Sequence, residues 1–198
     1  KKEEQEQPLE ALILKVYFKK EIFKHLNNKN ILKHVLEIIP FEKHGLVDGG
    51  VSSYNSDILY DKFNGMFMPY LYKFCSMAGK NYRILDFWIN IVEPGGYTKP
   101  HNHANVFPEL KNVPQKVGVF YLQKPKESGN LYIENKLVTV KQNDMVIFDC
   151  NLNHHTEINK WKKQRIVFSV NMAENARKVF QDGKLIFLKE SDDYKGVF

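Results

Sequence analysis

Only two cysteines, Cys75 and Cys150, occur in the 198 residues, and neither belongs to a Cys-x-x-Cys pair. A disulfide framework is thereby excluded, and both read as buried free thiols of a reducing compartment. No run of about 18 apolar residues exists, so no membrane-spanning helix is expected. The opening Lys1-Lys2-Glu3-Glu4 lacks the apolar stretch of a secretory signal, which makes a cytoplasmic location the expectation. Glycine (11) and proline (8) are too few for a linker-rich or disordered chain. Charge is not one-sided either: 29 Lys+Arg stand against 23 Asp+Glu, a net +6. That excess is spread along the chain. Of its one dense segment, Lys160-Trp161-Lys162-Lys163-Gln164-Arg165, the residues Lys160, Lys162 and Lys163 read as a solvated turn rather than a nucleic-acid surface, and Arg165 is a separate case.

What is present is ordinary globular usage, 43% hydrophobic and 26% charged. The length predicts a single domain, 1–198, able to bury about 70% of its unfolded surface without a structural metal. Any metal must then be argued as functional. Residues 8–39 carry apolar positions at helical spacing (Leu9, Leu12, Val16, Phe23, Leu26, Ile31, Val35, Ile38), with Pro8 at a first-turn position and a break at Asn27-Asn28. Pro40, Gly45 and Gly49-Gly50 mark a loop. A second helix is expected from Asp57 to Ala78, kinked or divided at Pro69 and stopped by Gly79. From Asn81 the texture changes to short β-branched and aromatic runs: Tyr82–Val92, Val117–Leu122, Leu131–Glu134, Leu137–Val140, Met145–Phe148, Ile166–Asn171 and Leu185–Leu188. Helices first and many short strands afterwards predict a mainly β fold, a double-sheet jelly roll with the N-terminal helices packed on one sheet. Residues 1–80 are the expected helical support and 81–190 the β core.

The seven histidines are unevenly placed. His25, His34 and His44 read as surface positions, whereas His101, His103, His154 and His155 fall in the β region. His101-Asn102-His103 puts two imidazoles at i and i+2, which on a strand share a face and can converge on one ion. Of the adjacent His154 and His155 only one can face the same way. Imidazole alone does not select among Zn, Cu, Fe and Ni. Arg165, eleven residues after His154, heads the apolar run Ile166-Val167-Phe168-Ser169-Val170. A guanidinium that keeps its proton is costly to bury alone, so it either sits at the surface or faces an anion such as a carboxylate.

Histidine pair, distal histidine and trailing arginine together resemble the Fe(II)/2-oxoglutarate-dependent oxygenases, a double-stranded β-helix superfamily. The likeness looks closest to small oxygenases of this kind from marine bacteria and phages. The matching stretches are Trp88-Ile89-Asn90, His101-Asn102-His103, Gly118-Val119-Phe120-Tyr121-Leu122, Phe148 to His154, and Arg165-Ile166-Val167-Phe168-Ser169-Val170-Asn171, over about residues 82–172. By position, the resemblance implies Fe(II) on His101, His103 and His154, and Arg165 on the distal carboxylate of the cosubstrate 2-oxoglutarate. It also implies Asn90 and Tyr121 as cosubstrate hydrogen-bond donors, with His155 outside the ligand set. The implied activity is hydroxylation of a small-molecule or peptidyl substrate. Departures are His103, where a carboxylate is usual, Val167, where relatives often carry the serine of an Arg-x-Ser pair, and Asp149 in place of a proline.

Two other readings use the same residues. A cupin-type metalloenzyme would take Gly95, His101 and His103 as its first motif and Glu109 as a fourth ligand, leaving Arg165 without a task. A non-enzymatic jelly-roll binding module would leave the histidines incidental. Tyr54, Tyr60, Phe63, Phe67, Tyr70 and Tyr72 read as the barrel-packing face of a helix, or else as cover for the barrel mouth. Asn102–Lys116 reads as a long loop beside the histidines, a lid or a passive excursion.

Overall fold

The computed structural model describes residues 13–17, 33, 36–54, 57–181 and 184–189. Six strands form one antiparallel sheet: β1 (Ile13–Tyr17), β2 (Val47–Ser52), β3 (Tyr82–Thr98), β4 (Gln115–Gln123), β7 (Asp144–Asp149) and β9 (Arg165–Glu174), in the order β1-β7-β4-β9-β3-β2. A second sheet, β6-β5-β8, joins β5 (Leu131–Ile133), β6 (Lys136–Val138) and β8 (His154–Thr156). The hairpin of β10 (Ala176–Gln181) and β11 (Lys184–Lys189) forms its own two-stranded sheet. The two facing sheets make the expected double-stranded β-helix, or jelly roll. No helix among the described residues is long and apolar enough to cross a membrane.

The period of two along the central strands sorts their side chains. On β9, Ile166, Phe168, Val170 and Met172 pack beneath the long helix α1 (Asp57–Ala78), while Val167 packs inward with Val117, Val119, Tyr121, Leu131 and Ile133 between the sheets. Covering both faces is why β9 is buried at nine of its ten positions. Phe67 of α1 stacks on Phe168 with centroids 4.7 Å apart, and Tyr70 meets Phe120 at 4.8 Å. Full burial of each such side chain contributes about 1.5–3 kcal/mol. A Cβ at Gly118 would lie 2.4 Å from the Phe74 ring, so the glycine lets the helix approach the sheet. Pro69 lies within α1 without dividing it, and the helix stops at Gly79, whose φ of 144° a side chain would resist.

Two expectations for residues 1–80 are corrected. Ile13–Tyr17, inside the stretch read as helix 8–39, is a strand pairing with β7, Ile13 opposite Phe148 and Tyr17 opposite Asp144. Its Ile-Leu-Lys-Val-Tyr sequence is rich in strand formers, and pairing at a sheet edge overrides a weak helical period. Residue 33 and residues 36–38 are helical; the rest of that stretch, with His25 and His34, lies outside the described residues. Val47–Ser52, read as loop from Gly49-Gly50, is the edge strand β2. There a Cβ at Gly96 would lie 2.4 Å from the Gly49 carbonyl oxygen, so these glycines mark backbone closeness rather than a turn. The supposed helical support thus contributes two strands to the main sheet.

Candidate metal centre and its cavity

Three histidines converge between the sheets. His101 and His154 are locked by reciprocal backbone bonds, amide to carbonyl, of 3.1 and 2.8 Å, and the His103 amide donates to the Cys150 carbonyl at 2.7 Å. The His-x-His pair therefore does not lie on a regular strand, contrary to expectation. An isolated bridge and a loop turning inward bring the rings together instead. Ring centroids are 4.2 Å apart for His101 and His154 and 5.2 Å for each of the other pairs, and one nitrogen from each lies within 4.8 Å of the others.

The outer nitrogen of each ring faces an acceptor. His101 Nδ1 lies 2.8 Å from the Lys99 carbonyl, His103 Nδ1 2.7 Å from Asn171 Oδ1, and His154 Nδ1 3.2 Å from the Leu152 carbonyl. Each Nδ1 therefore carries the hydrogen, and each Nε2 keeps its lone pair. Burial keeps all three rings neutral near pH 7. It lowers His101, pushes His103 down to about 4 with help from the nearby His101, and holds His154 well below its ordinary value, with His101 and His103 adding to the effect. Three neutral imidazoles with inward lone pairs form a donor set that suits a divalent transition metal.

His155 points away and stacks on Tyr132, centroids 5.0 Å apart and 9° from parallel. Glu109 is exposed in a short 3-10 turn and is not part of the cluster, which leaves the cupin reading without its fourth ligand. Leu110 and Val113 of the 102–116 loop pack with Leu85, Ala173 and Ala176, so this loop is anchored, with Asn102, His103 and Val106 facing the cavity.

The histidines open into a cavity of about 170 Å³ whose wall is largely apolar, with Val117, Val119 and Val167 among its residues. Among the described wall residues, Arg165 alone carries a permanent charge. It is 1% exposed, and its Nη1 donates to the Ser128 carbonyl and, at 3.3 Å, to the Glu157 carbonyl, while Nη2 donates to Thr156 Oγ1 at 2.6 Å. These are neutral partners; among the described residues no carboxylate pairs with it. Two of its five N–H donors remain. A Cβ at Gly129 would lie 2.8 Å from Arg165 Nη1, so the guanidinium fits only beside glycine. Asn90 and Tyr121 also line the cavity. Asn90 Oδ1 is buried without a partner, and burial pushes the Tyr121 phenol up to about 12 although the Arg165 charge opposes this.

Sequence reasoning missed three contributors. Asn171 acts through His103, 68 residues away, and Thr156 through Arg165, nine residues on. His44, read as surface, lines the cavity and meets Tyr54 edge-on at 5.5 Å; Tyr54 in turn meets Trp88, which stacks on His103 at 5.9 Å. Of the other aromatics, Phe67 and Tyr70 are core and Tyr72 is 68% exposed, while the Tyr60 and Phe63 side chains lie outside the described residues.

No protein-family model matches the sequence, and no curated protein matches it significantly. Solved structures do match in fold. The non-heme α-ketoglutarate (2-oxoglutarate)-dependent epimerase SnoN from nogalamycin biosynthesis superposes with a TM-score of 0.66 at 13% identity, covering 89% of this chain and 84% of SnoN. HygX from Streptomyces hygroscopicus, with nickel and 2-oxoglutarate bound, gives 0.60 at 12% identity over 93% of this chain and 90% of its own. A Pseudomonas putida prolyl-4-hydroxylase gives 0.53 at 12% identity over 84% and 96%. The chain has the double-stranded β-helix fold of these 2-oxoglutarate-dependent and related oxygenase structures.

Proposed function

We propose that the chain is an Fe(II)- and 2-oxoglutarate-dependent oxygenase, with His101, His103 and His154 on the metal and Arg165 on the far carboxylate of 2-oxoglutarate. The observation that carries this reading is a buried arginine that forms no ion pair among the described residues, the Glu157 carboxylate acting on it only through space, and that lines the same cavity as three inward Nε2 lone pairs. A buried charge of this kind calls for an anion. Thr156, beside the guanidinium, is two residues from His154 on β8, roughly 6.6 Å along the strand. That separation suits a short diacid reaching from metal to arginine.

When bound, the metal and cosubstrate supply the oxidation: one oxygen atom of O2 ends in succinate as 2-oxoglutarate loses CO2, and the other in the hydroxylated substrate. The chain's own part is binding and orientation. Arg165 and Thr156 hold the far carboxylate, Asn90 and Tyr121 offer hydrogen bonds to the cosubstrate, and Val117, Val119 and Val167 keep water from its methylenes. Three neutral ligands leave the metal its full double charge, which suits the doubly anionic 2-oxoglutarate. The lining residues Leu46, Tyr54, Trp88 and Val106 carry no permanent charge, which suits an uncharged part of a small-molecule or peptidyl substrate. The test is Fe(II)-dependent conversion of 2-oxoglutarate to succinate under oxygen. Turnover is expected in the wild type and lost in His154→Ala; turnover unaffected by that substitution would overturn the assignment.

A further inference from the structure

His103 differs from the other two histidines in how its outer nitrogen is held. His101 and His154 lean on backbone carbonyls, of Lys99 and Leu152, two residues away in each case, which no side-chain substitution removes. His103 alone leans on a side chain, Asn171 Oδ1, 68 residues away on β9. Asn171 is 4% exposed, lies on the cavity wall, and faces its two strand neighbours at Asp86 and Val117. Its Nδ2 is buried with no partner, so the one bond that orients this amide is the bond to His103. A buried donor left unmade is costly and calls for a reason.

The structure assigns Asn171 as the positioning residue that makes a histidine serve as the second ligand: we infer that Oδ1 fixes the His103 ring as the Nδ1–H tautomer and aims Nε2 at the metal. Rotation of the ring about χ2 would put a carbon toward the metal, and the opposite tautomer would put a hydrogen there. Backbone geometry prevents both at His101 and His154; at His103 only Asn171 does. Trp88, stacked on the His103 ring, limits its tilt but leaves the in-plane choice of nitrogen open. An acceptor on the outer nitrogen also raises the ligand's basicity, and more so if it is anionic. Aspartate at 171 would therefore keep the acceptor, remove the unpartnered donor, and return a negative charge one bond beyond the neutral triad.

This inference rests on the proposed metal triad and is tested by Ni(II) affinity, measured by competition with a chromogenic chelator on the full chain, with thermal unfolding as a check on folding. Asn171→Ala is expected to bind Ni(II) about 10–100-fold more weakly than wild type. Asn171→Asp, nearly identical in shape, is expected to bind at least as tightly as wild type. Wild-type affinity in Asn171→Ala, or an Asn171→Asp as weak as Asn171→Ala, would overturn the assignment while leaving the triad standing. A wild-type chain that takes up no Ni(II) would overturn the triad and this inference with it. A role confined to packing would leave Asn171→Leu, close in shape but without an acceptor, near wild type, whereas loss of the acceptor is expected to make it bind Ni(II) as weakly as Asn171→Ala.

Discussion

Arg165 Nη2 donates to the Thr156 hydroxyl at 2.6 Å, and the same oxygen accepts the Thr98 amide at 2.9 Å. Both acceptor sites of that oxygen are used, so its own O–H is left to donate, and Thr156 lines the cavity. Guanidinium and hydroxyl thus present donors to one spot, a pattern matched to a carboxylate. Two residues beyond the arginine this chain has Val167, which offers no hydroxyl; Thr156, from the neighbouring sheet, supplies one to the same guanidinium. Thr156→Val is expected to weaken 2-oxoglutarate binding about tenfold or more, with Thr156→Ser close to wild type. Calorimetric titration of the Ni(II)-loaded protein checks this. Equal affinity for all three proteins would remove Thr156 from the carboxylate site.

The ligand set makes a second prediction. His154→Ala removes one of three donors, whereas His155→Ala removes a ring that faces Tyr132 and Glu109→Ala an exposed carboxylate. Equilibrium dialysis against Ni(II) is expected to show stoichiometric binding in the last two variants and severe loss in the first. Loss of metal in Glu109→Ala would return the cupin reading.

Stability of the metal-free protein should depend on pH through the same rings. In the unfolded chain each histidine takes up its proton near pH 6.5, but burial lowers all three in the folded chain, His103 to about 4. As pH falls below about 6.5 the unfolded chain binds protons that the folded chain refuses. Stability is therefore full above that pH and is lost as pH falls toward 4, by up to about 1.4 kcal/mol per unit for each histidine. Urea unfolding between pH 7.5 and 5 checks the sign, and saturating Ni(II) should raise stability at every pH where it binds. A flat profile would contradict the burial of these rings.

Much of the candidate site was legible because its chemistry is encoded in local spacing. His101-x-His103 and His154 with a trailing Arg165 are visible in one dimension, and the β-branched and aromatic run 166–170 marked a strand. Only the long-range partners were hidden. Nothing local says that Asn171 will meet His103 or that Ser128 will receive Arg165, since both pairings depend on strand register. His44 looked like a surface residue because its cavity exists only once β2 joins β3. The fold was legible where aromatic and β-branched runs were long, as in β3, β4 and β9, and where Gly79 ended α1. It failed at β1, whose five residues fit either period, at β2, whose glycines imitate a loop, and at β8, three residues long.

The central claim is that one cavity binds metal and 2-oxoglutarate together, and anaerobic titration of the Fe(II)-loaded protein with 2-oxoglutarate tests it most directly. A weak visible charge-transfer band is expected on addition, saturating in the wild type and absent in His154→Ala. Arg165→Ala should need about 10–100-fold more 2-oxoglutarate to reach it. Fe(II) bound by the histidines with no band at any 2-oxoglutarate concentration would contradict the account.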